Sequence, residues 1–518
     1  MTMTALSRYV LALACAFIAS CAVGPNYHTP HTPVPNQYTA VTGDTTGVGP
    51  PHNATAPAVD PATWWRTLND PELDSLVERA LRSNPNALIA LDRLQAARTY
   101  ELGLTGTLLP AAAASGAYGR GTGDDNARGR AAEPLVTADN PHGVNSINGV
   151  GGFAAVWEVD VFGRIRREME QAHYNAQAAA DARNGVLVAV IADVARAYVD
   201  LRGLQMRVSV LHADIDVLRE SLRLVTERYN RGITNELDVT LARRELASLQ
   251  AQVAPIDAEV LAAQYTIATL LGAYPEDLVH ELTPAGMVPS VPVTIEAGVP
   301  VDLLRRRPDI QEAERQLASA NAAIGIATAD LFPQFIATGA IGAQRSDLGT
   351  ASPIGSHIWT LGVGALWPLL DFGTLDARVQ AANWQTKALL VAYKQAIQTA
   401  VQQVDTTVDA FRAQQASLAS LGEALVASRR AVTLANERYD RGLTDFLNVV
   451  DAERAEYAIQ DQYVQAQTSV GEQFIALYRY LGGGWESYQQ VPGIVKPLPA
   501  ILAIFRDTLT HNDALKEP

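Results

Sequence analysis

Glu227-Arg228-Tyr229-Asn230-Arg231-Gly232-Ile233-Thr234 returns 210 residues later as Glu437-Arg438-Tyr439-Asp440-Arg441-Gly442-Leu443-Thr444. Phe162-Gly163 returns at the same spacing as Phe372-Gly373. Farther upstream, Pro85 and Pro110 correspond to Pro308 and Pro333, so the first copy carries extra residues between Pro110 and Trp157. A repeat this long is a doubled fold rather than a short-period solenoid. Each copy reads as a helix, two strands and two very long helices, and Arg231-Gly232 and Arg441-Gly442 form the turns between the paired long helices.

Working back from the first turn, Leu187, Val190, Val194, Ala197, Leu201, Leu204, Val208, Leu211, Ile215, Leu218, Leu222, Val225 and Tyr229 are spaced by three and four residues in alternation. This is a heptad seam. It resumes after the turn from Leu246 to Leu270, where Pro255 should kink the returning helix. The second copy repeats the seam at Ile397, Val404, Phe411, Leu418, Leu425, Val432 and Tyr439, diluted by Thr407, Gln414 and Ser428, and should pack less tightly. A helix from Arg164 to Tyr229 would be about 100 Å long at 1.5 Å per residue. That length suits a fibrous rod or a conduit across the periplasm.

The strands before each long helix decide between the two. Phe153, Ala155, Trp157, Val159 and Val161 alternate with Glu158 and Asp160, and Trp359, Leu361, Val363, Ala365, Trp367 and Leu369 alternate with Thr360, Gly362 and Gly364. From Trp359 to Trp367 a strand covers about 26 Å, near the height of the lipid-facing band of an outer-membrane barrel. Trp157, Trp359 and Trp367 would form a membrane girdle, and Glu158 and Asp160 would be lumenal charges. The partner strands run from Ala111 to Gly119 and from Gln334 to Arg345, with Phe335 and Ile341 toward lipid. Four strands cannot close, and open edges in lipid leave backbone groups unpaired at several kcal/mol each. Two chains would fill their own barrel interior; three would supply about twelve strands and enclose a pore. The expected fold is therefore mainly α with a transmembrane β-barrel, in a trimeric tube built from a duplicated chain.

The beginning of the chain sets the compartment. Arg8 precedes an apolar run from Tyr9 to Ala19, and Ile18-Ala19-Ser20-Cys21 reads as a bacterial lipobox, so Cys21 is the expected lipid attachment point; the alternative is an ordinary signal peptide with a chance cysteine. The expected organisation is a signal peptide over 1–20, a lipidated tether over 21–62, a first repeat over 63–290, a second over 291–484 and a tail over 485–518. No other run reaches the ~20 apolar residues of a transmembrane helix.

The balance of 55 Asp plus Glu against 40 Lys plus Arg argues against nucleic acid as a partner. Nine scattered histidines lack metal-ligand spacing, and no Gly-x-Ser-x-Gly elbow appears, so neither an enzyme nor a cofactor is expected. Gly119-Arg120-Gly121-Thr122-Gly123 lacks the context of a phosphate loop, and Arg305-Arg306-Arg307 before Pro308 reads as structural pairing with carboxylates or as an anion site.

Several motifs together resemble the TolC-like outer-membrane efflux channels, in their OprM/NodT-like lipoprotein branch. They are Cys21-Ala22-Val23-Gly24-Pro25-Asn26-Tyr27, Trp64-Trp65 with Asp70-Pro71-Glu72-Leu73, Leu303 to Ile310 with Ala313-Glu314, Asp371-Phe372-Gly373, and Leu481-Gly482-Gly483-Gly484-Trp485. The resemblance covers nearly all of the chain after Cys21. It implies a homotrimer with a 12-stranded barrel on a 12-helix periplasmic barrel, an inner-membrane RND-type pump and a periplasmic adaptor as partners, and passive conduction of small molecules. It also implies that Tyr439, Leu447 and Asp451 narrow a periplasmic gate, while the turns at Arg231, Gly232, Arg441 and Gly442 meet the adaptor. Asp238 and Asn448 lie beside these positions. The alternative for Leu447 and Asp451 is seam packing and a solvated helix surface. A structural coiled-coil envelope lipoprotein and an exit duct for type I protein secretion are the rival functions.

Overall fold

The computed structural model describes residues 22–35, 38–39, 59–121, 146–292, 300–347 and 354–488, without side chains at a few strand ends. Cys21, the signal segment, most of both strand-connecting loops and the tail beyond residue 488 lie outside the described residues.

After a short 3-10 segment at Pro61–Leu68, α1 spans Pro71–Ser83 and α2 spans Pro85–Thr105. Asp70 caps α1 through the amides of Glu72 and Leu73, and Asn84 caps α2 through those of Asn86 and Ala87, each followed by a proline that lacks the amide the first turn cannot use. Strands β1 (Ala111–Gly121) and β2 (Ser146–Val159) follow, then α3 (Arg164–Asn230), α4 (Glu236–Gln250) and α5 (Val253–Leu270). Short helices α6 (Pro275–Leu282) and α7 (Pro300–Arg306) lead to α8 (Pro308–Ala329), β3 (Gln334–Asp347), β4 (Ile354–Leu366), α9 (Thr374–Asp440) and α10 (Leu447–Leu481).

Both α3 and α9 are 67 residues long, about 100 Å at 1.5 Å per residue. The returning helix of the first half breaks at Ala251-Gln252 and restarts as α5, with Pro255 in its first turn. The proline ring would collide with the carbonyl four residues back, so the helix cannot run through. No proline occupies the matching stretch of α10, which runs unbroken for 35 residues.

The four strands form one antiparallel meander, β1-β2-β3-β4, with β1 and β4 at its edges. Phe153 pairs with Ile341 and Ile341 with Trp359; Trp157 pairs with Ala337 and Ala337 with Val363. Because side chains alternate with a period of two, this register puts the expected apolar positions of all strands on one face.

The main core lies at mid-length of the long helices. There α3 is buried on most sides, including Leu187, Ile191, Val194, Tyr198 and Leu201, against Trp64, Trp65, Leu73, Leu76, Leu278 and Leu282, with Phe474 and Tyr478 of α10. Trp64 stacks on Tyr478 at 5.6 Å and meets Phe474 edge-on at 6.1 Å. Several polar groups in this core are paired: the Arg202 guanidinium donates to Glu72 and to the Pro284 carbonyl, and Tyr198 donates to Asp70 at 2.7 Å, while Trp64 Nε1 and the other Glu72 oxygen are buried without a hydrogen-bond partner.

The first part of the expected tether is bound rather than free. The Val23 amide donates to the Phe162 carbonyl at 3.0 Å. Buried Arg167 of α3 donates to the carbonyls of Val23 and Gly24 and to Asn26 Oδ1. Gly24, at φ +90°, lies so close to Gly325 of α8 that a Cβ would sit 2.5 Å from its Cα, which is why the strap needs glycine there.

Candidate functional site

Candidate functional residues fall at the two ends of the molecule. At the strand end, Trp157 and Trp367, the pair related by the 210-residue spacing, make the same contact. Trp157 Nε1 donates to the Leu108 carbonyl at 3.0 Å, and Trp367 Nε1 donates to the Leu331 carbonyl at 3.1 Å, each just before the proline that ends the preceding helix. The indoles thus tie each β-hairpin to the helix entering it. Trp359 stands eight residues up β4, in one row with Ile341 and Phe153. Between the tryptophan levels, Leu361 and Val363 are 81% and 79% exposed in the single chain, far more than side chains of that size tolerate in water when contiguous. The opposite face carries Ala113, Ser115, Ala154, Thr338, Ala340, Thr360, Gly362 and Gly364, with Val156 and Ile336.

Glu158 and Asp160, expected as lumenal charges, are both engaged by neighbouring groups. Glu158 accepts two bonds from Arg164, at 2.9 and 2.6 Å. Asp160 lies past the end of β2, accepts the amides of Ile165 and Arg166, and pairs with the Arg166 guanidinium at 3.1 Å. The partial positive charge at the start of α3 and two adjacent arginines absorb both carboxylates, so they hold the strand-to-helix corner instead of standing free. Asp371 plays the same part before α9, accepting the amides of Gly373 and Leu375.

At the far end, the two turns are near copies. Gly232 (φ +76°) and Gly442 (φ +70°) donate to the Tyr229 and Tyr439 carbonyls, and Ile233 and Leu443 donate to those of Arg228 and Arg438. This pair of bonds is the Schellman ending, which requires a left-handed residue and hence glycine. Arg231, Gly232, Arg441 and Gly442 are all exposed.

The five expected gate residues divide into two groups. Leu447, Asn448 and Asp451 lie together on one exposed face at the start of α10, with Leu447 48% exposed. Tyr439 and Asp238 instead point into the bundle. Tyr439 is 9% exposed, packs on Phe446 at 5.2 Å and is roofed by the Arg228 guanidinium at 4.5 Å, which also bonds Asp440. Burial raises the Tyr439 pKa, so it stays a neutral phenol. Asp238, at the third position of α4, accepts the Thr234 hydroxyl beside the Asn235 cap.

Residues that periodicity did not reveal include carboxylates between helices. Asp200 of α3 faces Glu472 of α10, and burial together with that neighbour pushes its pKa up to about 7. Burial also raises Asp181, beside Arg315, and Asp214, near Glu456, to about 6 each. Asp200, Arg207, Glu259, Gln465, Thr468 and Glu472 line a polar groove of about 470 Å³ on the side of α3 away from Tyr198 and Arg202. Among the described residues no group of His, Cys, Asp and Glu could hold a metal ion, and no helix is long and apolar enough to cross a membrane.

The sequence profile described as "Outer membrane efflux protein" matches residues 76–273 and 299–483. The solvent efflux pump outer membrane protein SrpC of Pseudomonas putida is 30% identical over 475 residues, covering 91% of this chain and 97% of that protein. Nodulation protein T of Rhizobium leguminosarum bv. trifolii is 26% identical over 484 residues, covering 92% and 98%. Among solved structures, the outer-membrane channel OprN superposes with a TM-score of 0.78 at 33% identity, covering 90% of this chain and all of that one. Two profile matches spanning both long-helix units, together with full-length relatives, establish that the chain belongs to the outer membrane efflux protein family.

Proposed function

We propose that the protein is the outer-membrane exit duct of a tripartite efflux pump, passively conducting drugs or other small molecules received from an inner-membrane RND-type pump through a periplasmic adaptor. The observation that carries this reading is the uncovered apolar belt on a four-stranded sheet with two unpaired edges, standing on helices about 100 Å long. A coiled-coil rod would need no such belt.

The same open edges support a trimer. Helices α2 and α9 flank the α3–α8 pair and carry bare apolar side chains, Leu88, Ile89 and Tyr100 on one side and Trp384 and Val391 on the other. A head-to-tail contact between these unlike faces closes into a ring, and three copies also join β4 of one chain to β1 of the next into a twelve-stranded barrel. On this reading the halves, over 63–290 and 291–484, are duplicated repeats that alternate around the tube. Cys21 would carry the lipid: residue 22 lies against Gly163, at the foot of the belt, where an acyl chain would enter the inner leaflet.

The turns at Arg231-Gly232 and Arg441-Gly442 would be the adaptor contacts. Leu447, Asn448 and Asp451 would ring the axis as the gate, with Tyr439 and Asp238 bracing it from within. Three leucines exclude ions by dewetting, and three aspartates attract cations. Planar-bilayer recording tests the reading: Leu447→Ser with Asp451→Ser should raise resting conductance several-fold while crosslinking still stops at three chains. An unchanged conductance in the folded trimer would return these side chains to the helix surface, and a protein that never conducts would refute the duct.

A further inference from the structure

The lower helical bundle contains a polar layer between two apolar ones. Toward the middle lie Leu211, Ile215, Leu218, Leu249 and Ile256; toward the turns lie Val225, Val239, Phe446, Val449 and Val450. Between them α10 carries Glu453, which is 3% exposed and has a buried carboxylate oxygen without a hydrogen-bond partner. One turn on, the hydroxyl of Tyr457 is also buried and unpartnered.

The charged groups around Glu453 are already engaged. From α4, Glu245 is buried and held by Arg454 at 2.6 Å, with Arg244 at 3.6 Å. On α10 itself, Glu456 pairs with Arg429 of α9 at 3.5 Å. From α3 comes Asp214, a third carboxylate near Glu456. Each described arginine of this layer serves a carboxylate other than Glu453. An ionised Glu453 would thus be a buried anion among anions, and such a group neutralises or moves toward water.

We propose that Glu453 is a proton-operated latch: its neutral carboxyl lets α10 pack against α3 and α4 with the tip closed, and its ionisation favours splaying of the tip. The latch rests on the duct reading above. Burial, then Glu456 and Glu245, raise the Glu453 pKa from 4.5 to about 7 in the packed form. Splaying hydrates the group and returns it toward its ordinary value. The closed form therefore binds the proton more tightly, and closure weakens as pH rises from about 5 to 7.5. Full hydration on opening would shift the closed-to-open ratio by roughly fifty-fold over that window.

Single-channel recording of the trimer at pH 5.0 and 7.5, with hydrogen exchange of the tip amides in parallel, tests this. The wild type should open more often at pH 7.5 and its tip amides should lose protection once the base-catalysed rise in intrinsic exchange is divided out, whereas Glu453→Gln, which keeps the shape without the charge, should hold the acid-pH opening and protection throughout. Glu453→Asp should retain a pH response. A channel whose opening is flat across this range, or a Glu453→Gln variant with the wild-type profile in both measurements, overturns the latch and leaves the duct standing. Absence of conductance at every pH overturns the duct and the latch with it.

Discussion

Arg167→Ala should release the N-terminal strap without unfolding the tube. The guanidinium is buried and donates to Val23 O at 3.1 Å, Gly24 O at 3.2 Å and Asn26 Oδ1 at 2.9 Å, while Glu170 neutralises it at 2.6 Å. Hydrogen bonds from a charged donor contribute about 1.5–3 kcal/mol each, but the released carbonyls regain water and the three bonds are not additive. A net local cost of about 2–4 kcal/mol is the reasonable figure, and at 1.4 kcal/mol per decade it corresponds to roughly 30- to 1000-fold more opening. The Val23 amide reports this directly, because among the described residues its backbone partner is the Phe162 carbonyl. Hydrogen exchange on the detergent-solubilised protein should show Val23 accelerated at least 30-fold in Arg167→Ala, with Arg167→Lys intermediate and α3 amides near Leu201 unchanged. Val23 exchange within threefold of wild type would refute the clamp.

Three further outcomes follow from the geometry. Trp157→Phe and Trp367→Phe should each cost about 1 kcal/mol in denaturant unfolding, and by similar amounts, because each removes one indole-to-carbonyl bond at equivalent corners; a large inequality would break the equivalence. Glu158→Gln should leave Arg164 with only Glu168 as a partner and shift reversal potentials toward anions, whereas Arg164→Gln should unmask Glu158 and shift them toward cations; selectivity indifferent to both would put this corner outside the conduction path. Asp200, raised from 3.8 to about 7, keeps a proton in the folded chain that the unfolded chain has lost above about pH 4, so stability should decline as pH rises toward 7 and Asp200→Asn should flatten that decline in thermal melts.

Much of the fold was legible in the sequence because its governing patterns are periodic. The heptad seam, the alternating strands and the Arg-Gly turns each follow from local geometry; β1 and β3 extend the expected bounds by two residues at Gly121 and Asp347, whereas β2 and β4 begin at Ser146 and Ile354, ahead of Phe153 and Trp359, and end at Val159 and Leu366, short of Val161 and Leu369. What stayed hidden depends on segments distant in sequence. Nothing in the run from Ala22 to Pro35 signals that Arg167 and Glu314 will bind it, and its Pro-rich composition is that of a linker. The pairing of Glu158 with Arg164 crosses a strand-to-helix corner that neither a period of two nor one of 3.6 describes. The resemblance assigns Tyr439 to a gate by its place in the chain, and its packing on Phe446 beneath the Arg228 guanidinium depends on residues that this resemblance does not name.

The looser second seam has a cause other than its polar interruptions. Thr407 is buried, and its hydroxyl bonds the Gln403 carbonyl within the same helix, so it fills a seam position without an unsatisfied group. Helix α9 is more exposed than α3 because α1, α2, α4, α5, α8 and α10 all pack on α3, whereas α9 lies at the edge of the helical layer against α7, α8 and α10, with Trp384, Val391 and Val426 bare. Equal length and different cladding give the two long helices different work. Within one chain α3 is held from most sides and serves as the fixed column. The pair α9–α10, carrying Leu447, Asn448, Asp451 and the unpartnered Glu453, meets that column below its main core through thinner apolar layers. Motion at the tip therefore costs least in the second half, where the exposed candidate gate residues are found.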